Sequence, residues 1–199
     1  MEELDTPALV VDLDAANRNL QRMVEFATRR GLKLRPHAKM HKSVDFALLQ
    51  MQAGAVGLCT QTVAEAEALA DGGLDDLYIS NQVIAPTKLS RVARLAARLQ
   101  AAEGRLALAV DSREGIRRLA EAMEAVDAFI DVFVEVDIGQ GRCGVASGAP
   151  TVELVRWLAE RIREGARLRY AGLQAYHGGA QHLRSVPKRQ AEMALAATK

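Results

Sequence analysis

Asp131-Val132-Phe133-Val134-Glu135-Val136-Asp137 is the stretch whose reading decides the fold. Side chains alternate across a strand, so Asp131, Phe133, Glu135 and Asp137 share one face and Val132, Val134 and Val136 share the other. Lys33–Lys39 repeats the arrangement: Lys33, Arg35, His37 and Lys39 fall together, opposite Leu34, Pro36 and Ala38. An apolar lane suits helices packed outside a parallel barrel. A lane of ionised partners suits its interior, with the last residue at the open top. A solvated edge strand would alternate in the same way. The other competitor is an open doubly wound sheet, and no G-x-G-x-x-G turn follows the first strand to support a dinucleotide-binding version of it.

Outward from these two stretches, short branched runs alternate with longer amphipathic ones. Strands are expected at Ala8–Asp12, Lys33–His37, Ala55–Thr60, Asp76–Ser80, Arg105–Val110, Val132–Val136 and Arg169–Ala175. Helices are expected at Ala15–Arg30 behind an Asp14 cap, Val44–Ala53 behind Ser43, Val63–Asp71 behind Thr62, Lys88–Gln100, Arg113–Val126 behind Ser112, and Thr151–Gly165. Strict alternation predicts an α/β fold with a parallel sheet, here a (β/α)8 barrel. From Lys33 onward only about six of its eight strand–helix units fit, where a complete barrel takes about 250 residues. The expectation is therefore a single partial barrel domain over residues 1–199, with no linker inside it.

Lys plus Arg is 26 and Asp plus Glu is 25, which removes the charge imbalance a nucleic-acid or anionic-membrane partner would ask for. No run approaches the roughly 18 apolar residues of a spanning helix. Cys59 and Cys143 stand far apart, and the N-terminus lacks a basic region followed by an apolar run, so the cytoplasm is the expected compartment.

Three clusters carry candidate chemistry. In Arg35-Pro36-His37-Ala38-Lys39-Met40-His41-Lys42-Ser43, Lys39 closes a strand beside His37 and Lys42, whose positive charge disfavours its ammonium form and suits it to capture a carbonyl. Lys42 is the alternative amine, but it falls beyond the strand, toward the helix entrance. His37 and His41 are four apart, yet Pro36 opposes a helix holding both toward a metal, and no metal site is expected. In Val136-Asp137-Ile138-Gly139-Gln140-Gly141-Arg142-Cys143-Gly144-Val145, glycines carry Arg142 over the strand end, where Glu135 or Asp137 would orient it. In Gly172-Leu173-Gln174-Ala175-Tyr176-His177-Gly178-Gly179-Ala180-Gln181-His182, the Tyr176 ring would stack on a planar ligand and His177 would move a proton. A core tyrosine and a surface histidine remain the plain alternative. Gln61, after the Leu58-Cys59-Thr60 strand end, is a further lining residue.

Together these motifs resemble the pyridoxal-phosphate enzymes of fold type III, the alanine-racemase-like barrels. More narrowly they resemble the D-threonine aldolase, 3-hydroxy-D-aspartate aldolase and D-serine dehydratase group. DTPALVVDLD at Asp5–Asp14 looks like that group's opening, RPHAKMHKS like its cofactor-lysine motif, VDIGQGRCGV like the arginine loop of alanine racemases, and AGLQAYHGGAQH like the sixth-strand motif of 3-hydroxy-D-aspartate aldolases. The resemblance implies pyridoxal 5'-phosphate held at Lys39, with His37, Arg142, Tyr176 and Gln61 around it and His177 catalytic. It implies retro-aldol cleavage of a β-hydroxy-D-amino acid to glycine and an aldehyde. A dehydratase, or a non-catalytic cofactor carrier or inactive fragment, is the alternative. In alanine racemases the position of Glu135 is a lysine that can carry a carbamate and orient the loop arginine; Glu135 would supply the carboxylate directly. Family members are about twice this length, with phosphate-binding glycines on the last barrel loops and a C-terminal β domain that binds a divalent metal. Those ligands are not expected in this chain, so weak cofactor binding or none, and association through open barrel edges, as in a homodimer, are expected of it alone.

Overall fold

The computed structural model describes residues 5–199. Six parallel strands form its sheet: β1 (Leu58–Thr60), β2 (Asp76–Ile79), β3 (Arg105–Val110), β4 (Ile130–Asp137), β5 (Val145–Ala146) and β6 (Leu168–Ala175). They pair in the order β1-β2-β3-β4, and β4 then meets the short β5 near its end and β6 along most of its length. The helices α2 (Val44–Gln52), α3 (Val63–Asp71), α4 (Pro86–Ala101), α5 (Arg113–Glu124) and α6 (Ala149–Arg163) are the crossovers that parallel pairing requires.

The alternation on each strand separates two environments. Leu77, Ile79, Leu106, Leu108, Val110, Ile130, Val132 and Val134 face outward into one core with Leu69, Val92, Leu95, Leu119 and Leu158 of the helices. Each such burial stabilises by about 1.5–3 kcal/mol. On the opposite face Tyr78, Ala107, Ala109, Cys59 and Phe133 form a second, smaller cluster, with the Tyr78 and Phe133 rings 4.8 Å apart. The charged lane of β4 lies on that inner face, as the alternation predicts. At β6 the register slips between Val132 and Phe133, where Gly172 takes φ +135, a conformation L side chains rarely adopt. The bulge resets the parity, so that Arg169 before it and Gln174 after it both point inward.

Two expected strands do not form. Ala8–Asp12 joins no sheet, with Leu9 90% exposed. Lys33–His37 is reduced to a single bridge, His37 to Cys59, plus backbone bonds from Val56 N to Leu34 O and from Cys59 N to Pro36 O. Pro36 has no amide hydrogen to donate, and among the described residues this stretch is paired on one side only. Gly57 lies beside it at φ +146; a Cβ there would sit 2.1 Å from Arg35 Nη1 and 2.6 Å from Asp76 O. The close approach lets Arg35 reach Asp76 Oδ1 at 2.8 Å. The first helix, α1 (Leu13–Thr28), is capped by Asp12, whose carboxylate accepts from Ala15 N, and not by Asp14. The pattern also gave no sign of α7 (Val186–Ala197). Ala196 is its one buried residue, so the helix packs few apolar side chains against the rest of the fold.

Candidate functional site

The mouth of the inner face holds a cavity of about 270 Å³. Lys39 reaches it from a single 3-10 turn, Ala38–Met40, that follows the His37 bridge. Its Nζ lies 3.5 Å from Gln61 Oε1 and 5.9 Å from the centre of the Tyr176 ring. Arg142 also lies over that ring, its Cζ 4.9 Å from the centroid. Four of the residues singled out in the sequence, Lys39, Gln61, Arg142 and Tyr176, thus converge on one space, with His37 beside them.

His37 does specific work there. Its Nδ1 accepts from Lys39 N at 3.3 Å, which leaves the hydrogen on Nε2, 3.3 Å from Ser80 Oγ. Burial, and then the Lys39 ammonium, hold this imidazole below the ordinary histidine range, so it is a neutral brace. His41 repeats the device one turn on: Nδ1 accepts from Ser43 N and Nε2 meets Gln50 Oε1. The two rings four apart cap a turn, each with both nitrogens engaged.

Behind His37 the network crosses the barrel. Ser80 Oγ donates to Thr60 O, Gln174 Nε2 donates to Ser80 O, and the Tyr78 hydroxyl donates to Gln174 Oε1. Burial pushes the Tyr78 phenol far up, so it remains a donor, and burial pushes the Cys59 thiol up to about 11, which removes it as a nucleophile. Gln174 and Tyr78 were not singled out in the sequence. Their signal was parity, hidden at Gln174 by the bulge.

The arginine loop is anchored at both strand ends. Asp137 Oδ1 accepts from Gly139 N and Gly141 N, at 2.9 and 3.0 Å, and these bonds hold its carboxyl below the usual range. Asp111 Oδ2 accepts from Gly144 N. Glu135, 2% exposed, accepts from Gln82 Nε2 through one oxygen and lies 3.7 Å from Arg142 Nη2 through the other. The carboxylate and the loop arginine therefore face each other as an ion pair.

His177 is placed otherwise. Its Nε2 lies 2.8 Å from Glu192 Oε1 of α7, its Nδ1 is buried without a partner, and it does not line the cavity. The helix invisible in the sequence supplies its neighbour. Lys42 is also drawn away, its Nζ 3.1 Å from Glu65 Oε1.

The donor set tests what could be bound. Arg35, Lys39 and Arg142 bring three cationic groups to the cavity wall, no carboxylate among the described residues lines it, and Tyr78 and Tyr176 supply its aromatic lining. An anionic, planar, carbonyl-bearing group such as pyridoxal phosphate fits these residues. Among the described residues no group of three His, Cys, Asp or Glu side chains could hold a metal, and no helix is long and apolar enough to cross a membrane.

Residues 11–199 match the family described as alanine racemase, N-terminal domain. A D-threonine aldolase of an Arthrobacter species is 42% identical over 189 residues, 95% of this chain and 48% of that protein. A 3-hydroxy-D-aspartate aldolase of Paracoccus denitrificans is 39% identical over 192 residues, 96% of this chain and 48% of its own. A D-threo-3-hydroxyaspartate dehydratase of a Delftia species stands further off, at 34% over 181 residues, 90% of this chain and 45% of that one. Among solved structures, D-threonine aldolase from Filomicrobium marinum superposes with a TM-score of 0.90 at 46% identity, over 98% of this chain and 50% of the other. The chain spans about half the length of the curated relatives it matches.

Proposed function

The chain belongs to the alanine racemase N-terminal domain family, and from that premise we propose that it carries the lysine half of a pyridoxal-phosphate-dependent aldolase acting on β-hydroxy-D-amino acids. The observation that carries this reading is the Lys39 amine opening into a cavity lined by two further cations, two tyrosines and no carboxylate of the described residues. Its closer relatives support an aldolase ahead of a dehydratase.

Pyridoxal phosphate, when bound, supplies the aldehyde that Lys39 captures and the conjugated ring that takes up the electron pair of the breaking bond. Lys39 is the amine of that capture, and its Nζ stands where a proton could be moved. Gln61 Oε1 gives that nitrogen a partner within the site, and His37 fixes the backbone that carries it. Tyr176 offers the ring face, and Arg142, oriented by Glu135, offers a cation to an anionic group. In the reaction the β-hydroxyl loses its proton, the Cα–Cβ bond breaks, an aldehyde leaves, and a proton returns to Cα to give glycine. His177 is held in its contact with Glu192 and does not line the cavity.

The test is selective trapping. The chain is treated with excess pyridoxal phosphate, reduced with borohydride and mapped by mass spectrometry. Label at Lys39 above every other lysine supports the reading, and Lys39→Gln should reduce that label to background. Label spread evenly over the surface lysines overturns it. Products separate the two chemistries: glycine with an aldehyde for the aldolase, ammonia with a 2-oxo acid for the dehydratase.

A further inference from the structure

One carboxylate outside the cavity touches both turns that meet at Lys39. Glu65 Oε1 lies 3.1 Å from Lys42 Nζ, while Glu65 Oε2 accepts from Gln61 N at 2.7 Å and from Thr62 N at 3.3 Å. Lys42 closes the turn that carries Lys39, its own N–H donating to Ala38 O at 2.8 Å. It does so at φ +50, a left-handed conformation that a lysine holds only when its surroundings impose it. Gln61 carries the amide oxygen 3.5 Å from Lys39 Nζ. Both sides of the Lys39–Gln61 contact therefore hang on the Glu65 side chain, which is itself only 13% exposed.

The plain role of this glutamate is to cap α3, and the capping box with Thr62 is complete. A capping box asks only for the bond to Thr62 N. Here the shorter bond goes one residue further back, to Gln61 N, and the second oxygen is turned to Lys42. Neither contact is needed to start the helix. Burial pushes the Glu65 carboxyl up, but the Gln61 N–H and the Lys42 ammonium outweigh it, so the group stays ionised.

We propose that Glu65 is a positioning residue for Lys39: through Lys42 on one side and the Gln61 backbone on the other, it sets where the amine stands in the cavity. The proposal rests on Lys39 being the cofactor lysine. It also assigns the second lysine of the motif to the brace and not to the chemistry.

Two probes test it on the intact chain. Acetic anhydride, in limiting amount and mapped by mass spectrometry, reads the accessibility of Lys42; pyridoxal phosphate with borohydride reads Lys39, with Lys88 as internal reference. In Glu65→Gln, Lys42 acetylation should rise about threefold, the equivalent of losing an exposed ion pair. Trapping at Lys39 relative to Lys88 should fall at least about fivefold, as for a misplaced reactive group. Lys42→Gln should lower Lys39 trapping in the same sense. Thr62→Ala, which removes the other half of the capping box, should lower the Tm while leaving the Lys39 to Lys88 ratio at its wild-type value. If Glu65→Gln lowers the Tm without moving that ratio, or Thr62→Ala moves it equally, Glu65 is a helix cap and the inference is overturned. Absence of selective trapping at Lys39 in the unaltered chain instead overturns the cofactor reading beneath it.

Discussion

Asp131 and Glu135 stand four residues apart on the same face of β4, both buried and both met by arginine, yet they are used differently. At the foot of the sheet, Asp131 takes Arg105 on one oxygen and Arg169 on the other, the latter at 2.7 Å, so β3, β4 and β6 are tied together by one carboxylate. At the mouth, Glu135 has a close bond to Gln82 but holds its arginine at 3.7 Å, and that arginine also lies over the Tyr176 ring. The foot is saturated within the protein. The mouth keeps a cation on the wall of a cavity, so the fold separates a charge that ties strands together from one that borders open space.

The contrast can be broken by substitution. Asp131→Ala leaves two guanidiniums facing each other without their carboxylate and should cost about 2–3 kcal/mol in urea unfolding, less than a fully enclosed network because both arginines reach solvent. Trapping at Lys39, corrected for the folded fraction, should be unaffected. Glu135→Gln retains an acceptor for Gln82 and should change stability by less than about 1 kcal/mol, while weakening pyridoxal-phosphate affinity about tenfold. Equal stability losses for the two variants, with affinity unmoved in both, would erase the distinction.

Between foot and mouth, Tyr78→Phe deletes the hydroxyl that satisfies Gln174 Oε1 and should cost about 1 kcal/mol, seen as a lower urea midpoint with the m-value kept. The smallest effect is expected from His37. Its folded ring protonates below the ordinary 6.5, so as pH falls the unfolded chain takes up the proton first. Stability is intact above 6.5 and is lost as pH drops from there toward the lower folded value. His37→Asn keeps an acceptor for Lys39 N and should lose less stability than the unaltered chain between about pH 7.5 and about pH 5.5. Identical losses would show that the ring does not titrate in this way.

Much of this was readable before the fold was known. The alternation in Asp131–Asp137 predicted two differently filled faces, because a pleated strand has a period of two and its outer lane must meet helices. The motif around Lys39, the glycines around Arg142 and the strand end at Tyr176 named residues that do converge on one cavity. Lys33–His37 shows the limit of such patterns: its alternation is correct, but pairing needs donors and neighbours, and Pro36 supplies neither a donor nor a second side.

By itself the sequence determined most of the strand–helix alternation and the two-faced strands, and it singled out Lys39, since each depends on local periodicity or on a short motif. Only the tertiary structure decided which polar groups meet. The bulge at Gly172 turned Gln174 inward, α7 drew His177 onto Glu192, and Glu65 was brought against both Lys42 and Gln61. Those contacts join residues up to 96 positions apart, as Tyr78 and Gln174 are. Hydrogen bonds over such separations follow from how strands and crossovers pack, and no local pattern encodes them.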